Sequence, residues 1–335
     1  IKLGFWELKI MNEKKSSILY VLDIIKKYSD ERHYLTYAEI IDKLYRDYGI
    51  CLERKTIARD VESLINYGYD IRKAGNKGLY LLYRDFEQGE LLYLIDAIYS
   101  SRSMPTNYAK DLVEKLMKNY SFYDQKKLNH LEKIEDSAAD NKQLFYTIEV
   151  LNEAIAKKRR VEFRYNAYGL DKKMSPRENK IYKINPYFMV NNHGKYYLVC
   201  NYDKYNDLAN YKIECITDIK ILDEREKDIR DLDGCENFSM KQYINEHIYM
   251  THGESVNAEL KFTEPKFVND YVDWFGKSIE LEETDSGIVA KAKVNEGALI
   301  FWSLQYGEHV EILKPVETRQ KIKTIIEAMK NKYRD

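Results

Sequence analysis

An α+β multidomain fold is predicted by three features of the 335-residue sequence. Helical apolar spacing near the N-terminus ends in a glycine-bounded hairpin signal, the middle of the chain alternates apolar and polar residues with the β period, and the C-terminal third follows the order β-α-β-β-α-β. With 44% hydrophobic residues and only 14 Gly and 5 Pro, the composition suits a chain that buries several cores and excludes a disordered or collagenous one. The predicted divisions are 11–85, 86–140, 141–235 and 250–335, with residues 1–10 read as an extension or tag remnant because the first residue is not Met and Met11 opens a polar stretch.

Ile18, Leu22, Ile25 and Tyr28, supported by Val21 and Ile24, predict an amphipathic helix over Lys14 to Ser29. Thr36-Tyr-Ala-Glu39 is a capping box, in which the Thr hydroxyl accepts from the amide three residues on and the Glu reaches back to the Thr amide. It starts a second helix with Ile40, Ile41 and Leu44 inward. A third helix begins near Glu53, buries Ile57, Val61, Leu64 and Ile65, and ends at Gly68 in the left-handed cap conformation. Its opposite face carries Arg54, Lys55, Thr56 and Arg59. Arg bridges guanine acceptors in a major groove, while Lys, Thr and a helix N-terminus hold phosphates, so these residue types at this position point to duplex DNA.

Asp70 to Leu82 reads as two short strands around Gly75-Asn76-Lys77-Gly78, with Arg72, Lys73 and Lys77 and no acid after Asp70. Three helices followed by a basic hairpin make a winged helix-turn-helix DNA-binding domain, whose DNA-facing set includes Thr36 at the start of the second helix. The run Arg54-Lys-Thr-Ile-Ala-Arg-Asp60 and the hairpin behind it resemble the winged helix-turn-helix of DeoR-like bacterial regulators.

Phe86 to Asp140 has helical spacing at Leu91, Leu92, Leu94, Ile95, Ile98, Leu112 and Leu116, and is read as a helical connector whose stripe serves a core or a dimer seam. The central segment opens with a helix over Phe145 to Lys158 and then turns β-like: Val161 to Tyr165, Lys180 to Val190, Lys195 to Cys200, Tyr211 to Glu214 and Asp218 to Leu222. One helix and about five strands predict a small curled sheet or barrel. Gly194-Lys-Tyr-Tyr-Leu-Val199, preceded by Pro186-Tyr187 and followed by Tyr211 to Ile216, resembles the WYL domain, which implies an Sm-like barrel. Tyr196 stands where that family has its namesake Trp, and Lys212 and Cys215 stand where it usually carries two Arg, so one charge is kept and one lost.

The resemblance implies a pocket that senses a nucleic acid or a nucleotide-like effector. Independently, an anion needs fixed cations and a base needs flat side chains, and the segment supplies Arg164, Arg177, Lys195 and Lys212 among Tyr165, Tyr196 and Tyr197. After Val256, the order of strand, helix, strand pair, helix, strand and final helix predicts a ferredoxin-like domain that resembles the C-terminal extension found behind WYL domains.

The net charge of −1 first argues against a polyanion partner. Partition reverses this: residues 11–85 hold 14 basic and 12 acidic side chains and 141–223 hold 15 and 10, whereas 86–140 hold 7 and 10 and 224–335 hold 16 and 22. Two basic modules are balanced by an acidic connector and an acidic C-terminal domain.

No apolar run reaches the roughly 18 residues of a membrane span. Cys51, Cys200, Cys215 and Cys235 lack metal-ligand spacing and read as reduced thiols of a cytosolic, nucleoid-associated protein. There is no phosphate loop, nucleophile elbow or His-Glu-x-x-His, so neither an enzyme, a cofactor nor a bound metal is expected. The function expected is a ligand-responsive bacterial transcriptional regulator, a homodimer on a double-stranded operator, with single-stranded nucleic acid or a nucleotide as effector. The alternative is an accessory nucleic-acid-binding protein of a phage-defence or DNA-damage system, in which the central domain is the main binder.

Overall fold

The computed structural model describes residues 16–82, 85–127, 141–277, 279–285 and 287–334. The expected extension 1–10, the start of the first helix, Arg84 and the end of the connector (128–140) lie outside the described residues. Two compact units divide the chain, residues 1–137 and 138–335.

In the first unit, α1 (16–28), α2 (Tyr37–Tyr48) and α3 (Arg54–Tyr67) precede a hairpin of β1 (Ile71–Lys73) and β2 (Leu79–Leu81). Each helix buries one apolar stripe in a common core that holds Val21, Ile24, Ile25, Leu35, Ile40, Leu44, Ile57, Val61 and Leu79. The capping box forms as the sequence demands: Thr36 N donates to Glu39 Oε2 at 2.8 Å and Glu39 N donates to Thr36 Oγ1 at 3.3 Å. Gly68 ends α3 at φ 121°, ψ 3°, outside the left-handed helical well expected of it, although a positive φ still makes Gly the fitting residue. The hairpin is locked from outside. Leu35 and Leu79 exchange backbone hydrogen bonds of 2.8 and 2.9 Å, and a Cβ at Gly78 would lie 2.3 Å from the Leu35 carbonyl oxygen.

The connector is α4 (Gln88–Ser100), α5 (Thr106–Met117) and α6 (Phe122–Lys127), with a small core of Leu91, Ile95, Val113 and Tyr120. Ser121, at the start of α6, donates to Asp30 Oδ2 at 2.7 Å, and the Tyr123 ring stacks on His33 at 3.7 Å. The connector is therefore latched to the turn between α1 and α2.

In the second unit, α7 (Leu144–Lys157) packs on a curled, wholly antiparallel sheet of β3 (Arg159–Tyr168), β4 (Met174–Pro176), β5 (Tyr182–Asn192), β6 (Lys195–Tyr202), β7 (Ala209–Lys212) and β8 (Ile216–Arg225). The order is β4-β3-β5-β6-β7, with β8 also paired to β3. Residues 213–215 form a 3-10 turn, so the strand expected to run to Glu214 stops at Lys212, and Cys215 lies in the turn. A register shift between Pro186 and Phe188 interrupts the simple alternation read along β5. α8 (Met240–Glu246) follows, then β9 (Ser255–Phe262), α9 (Val268–Phe275), β10 (Glu280–Thr284), β11 (Gly287–Asn295), α10 (Glu296–Gln305), β12 (Val310–Lys314) and α11 (Val316–Lys332). The last four strands form one antiparallel sheet ordered β10-β11-β9-β12, and Leu260, Phe262, Tyr271, Leu299 and Trp302 bury its inner face.

Candidate nucleic-acid interface

The first candidate surface lies on α3 and the hairpin. Burial of Ile57, Val61 and Leu64 on one side turns Arg54, Lys55 and Arg59 outward, all exposed, with Thr56 half-buried. Asp60, in the same turn, is buried and accepts from Ser17 Oγ at 2.6 Å, so its carboxylate faces the core and not the cationic side. Arg59 approaches it only at 3.6 Å and keeps a side chain 70% exposed. The Arg54 guanidinium lies 5.6 Å above the ring of Tyr37 in the first turn of α2. Such a contact orients a long side chain while leaving its fork of donors outward.

On the hairpin, Arg72, Lys73 and Lys77 are exposed. Arg72 is held by Asp70 at 2.5 Å, and the Lys77 ammonium sits 5.9 Å from the ring of Tyr34, which meets Tyr80 edge-on. Thr36 differs from the rest. Its hydroxyl donates to Glu39 Oε2 at 2.8 Å while accepting the Glu39 amide, so the cap already occupies the group assigned to DNA. Sequence reasoning missed Tyr34, Tyr37 and Tyr80. The one signal was a set of tyrosines flanking the capping box and the hairpin, which spacing alone does not connect to the cations.

The second candidate surface lies on the β6–β7 pair of the curled sheet. Tyr197 and Lys212 are register partners, and Lys195 shares their face because side chains alternate along β6. Tyr196 takes the opposite face, so the two adjacent tyrosines expected to line one pocket are separated by the pleat. Tyr165 reaches the end of the same pair, where its hydroxyl accepts from the Lys212 amide at 3.3 Å. Burial pushes the Tyr165 hydroxyl well above its usual range, and the Cys215 thiol beside it adds to the shift.

Cys215 is itself raised by burial and by Glu214, against the opposing pull of Lys212, of a hydrogen bond with Tyr165 and of Lys195. Tyr165, Lys195, Lys212 and Cys215 are thus brought within one electrostatic neighbourhood, in which Glu214 is a buried acid. Arg164 is not among them: it alternates away from Tyr165 on β3 and lies 3.6 Å from Asp218. Arg177 is exposed and borders Tyr165 through its backbone, its amide donating to the Tyr165 carbonyl at 3.0 Å. Behind them Phe163, Tyr182, Tyr202 and Tyr211 join Tyr165 in one ring cluster, with the Lys180 ammonium 4.8 Å from both Tyr182 and Tyr202.

The WYL domain family matches residues 146–221, the segment that contains this second surface, and the WCX domain family matches residues 254–330. The chain carries a WYL domain followed by a WCX domain. No curated protein matches the sequence. Among solved structures, proteasome accessory factor B/C (PafBC) of Arthrobacter aurescens is 14% identical with a TM-score of 0.28, over 95% of this chain and 49% of that one. The chain thus spans about half the length of PafBC. A CRISPR Cas-related protein is 16% identical with a TM-score of 0.40, over 97% of this chain and 85% of that one. In this WYL-domain protein all seven residues expected to meet an effector fall inside the WYL match, and the cations of α3 and the hairpin precede it. Among the described residues no helix is long and apolar enough to cross a membrane.

Proposed function

We propose that this WYL-domain protein regulates transcription by binding duplex DNA through its N-terminal unit, read as a winged helix-turn-helix, and that its WYL domain senses a nucleic-acid or nucleotide-like effector. The observation that carries the reading is the division of α3: an apolar stripe sealed in the core and, opposite it, Arg54, Lys55 and Arg59 exposed, with the carboxylate of Asp60, next to Arg59, turned inward. In a major groove the two arginines contact base edges or phosphates, Lys55 and Thr56 hold the backbone, and Arg72, Lys73 and Lys77 follow the adjacent strand as a wing.

A single head of this size contacts few base pairs, so the operator is palindromic and the working form a homodimer. Effector at the Lys195, Tyr197 and Lys212 face favours one arrangement of the two heads over another, which is a population shift. Topology supports reading the curled sheet as the Sm-like barrel and the sheet ordered β10-β11-β9-β12 as the ferredoxin-like domain.

Gel-shift titration on the promoter of the protein's own operon tests the reading. Arg54→Ala and Arg59→Ala should each weaken binding by about 1–3 kcal/mol, about fivefold or more. Unchanged affinity in both variants refutes it. Tight single-strand binding by the 141–223 fragment, together with duplex binding that lacks sequence preference, would instead favour the accessory reading.

A further inference from the structure

The α8 helix serves two faces at once. Toward the curled sheet, Tyr243 packs among Phe188, Val190, Tyr197 and Val199 and donates to Asn210 Oδ1 at 3.1 Å. Toward the C-terminal sheet, the same helix lines a cleft of about 690 Å³ whose other wall is polar side chains of β9, β11 and β12. That volume lies in the range of small-molecule sites, roughly 300–1,000 Å³.

The cleft has a distinctive charge pattern. Lys241, Lys291, Lys293 and Lys314 converge on it with Glu246, Glu259 and Glu280, a positive balance inside a segment, 224–335, that holds 16 bases against 22 acids. Two of those acids are already neutralised: Lys293 meets Glu246 at 3.2 Å and Lys314 meets Glu259 at 2.9 Å. Lys291, whose register partner is Glu280, meets Glu282 at 3.4 Å, the longest of the three pairs. Lys241, on the opposite wall, is the excess cation. Gln242, Asn245 and Asn257 add amide donors and acceptors, while Phe275, the one aromatic ring in the lining, is 3% exposed and offers no face for stacking.

We propose that this cleft binds a sugar phosphate, free or as the sugar-phosphate part of a nucleotide, with the phosphate held between Lys241 and Lys291 and the sugar hydroxyls met by the amides. The cleft lining does not include Lys212, and because α8 also packs on Tyr197, an occupied cleft braces the helix that lies against the Tyr197 side of the effector face.

Isothermal titration calorimetry of the full-length protein with ribose 5-phosphate, AMP and inorganic phosphate tests this. Ribose 5-phosphate should bind, AMP should bind within about tenfold of it because the base is not stacked, and inorganic phosphate should bind more weakly. Lys241 and Lys291 are both exposed, so replacing them does not threaten the fold. The Lys241→Gln/Lys291→Gln double variant should lose about tenfold or more in affinity for ribose 5-phosphate, and Lys332→Ala, at the end of α11 and outside the cleft, should lose none. No binding of any probe, or binding unchanged in the double variant, overturns the proposal. AMP binding that is lost in Lys212→Ala and kept in the double variant also overturns it, and assigns the phosphate to the curled sheet.

Discussion

At the scale of single residues, Gly78 and Glu226 carry the sharpest consequences. Gly78 combines φ 115° with a carbonyl oxygen where a side chain would begin, so Gly78→Ala must open the Leu35–Leu79 bridge. A destabilisation of about 1–3 kcal/mol is expected, read as a lower denaturation midpoint of the first unit. Glu226 is half-buried with an unpartnered Oε2 among the described residues. Burial pushes its carboxyl up to about 7, against the pull of Lys158 and with the help of Asp228.

An acid whose folded pKa exceeds its unfolded one binds more protons in the native state, so stability falls as pH rises from the ordinary carboxylate range toward 7. Glu226→Gln should therefore stabilise the protein at pH 8 and leave it nearly unchanged at pH 4, checked by thermal melts at both pH values. A variant that is destabilised at pH 8 contradicts this account of the carboxyl.

At the scale of elements, the latch between the connector and the turn joining α1 to α2 is testable alone. Burial would raise the Asp30 carboxyl, yet hydrogen bonds from Ser121, the Arg32 amide and His33 hold it below its usual range. Ser121→Ala removes one of these donors and should cost about 1 kcal/mol, seen as faster amide hydrogen exchange in α6 with α3 unaffected. Elements also show what sequence conveys and what it hides. The Thr36–Glu39 box and the glycines at 75 and 78 announced their structures because capping and positive φ are local demands. The three-residue β4 and the seven-residue α8 have too few residues to display a period, and went unread.

Placing Tyr196 beside Tyr197 in one pocket neglected the pleat, which sends neighbours to opposite faces. Lys212 and Cys215 stand where the WYL family usually carries its two Arg. The chain turns between them, and only the fold returns both to Tyr165.

At the scale of the whole molecule, the distribution of charge matters more than its sum. The segments 11–85 and 141–223 are basic and 224–335 is acidic, so a net charge of −1 conceals two surfaces suited to polyanions. That asymmetry was fully legible in the sequence, because counting needs no coordinates. Which cations act together was not, since the pairings of Arg164 with Asp218 and of Arg72 with Asp70 depend on side-chain packing.

The central claim is that exposed cations of α3 and the hairpin neutralise DNA phosphates. The affinity of the full-length protein for its own promoter, measured across a series of salt concentrations, tests it most directly. With Arg54, Lys55, Arg59 and the hairpin cations engaged, log K should fall linearly with log salt, and Lys55→Ala should make that slope shallower by about one phosphate contact. An affinity independent of salt would contradict the account.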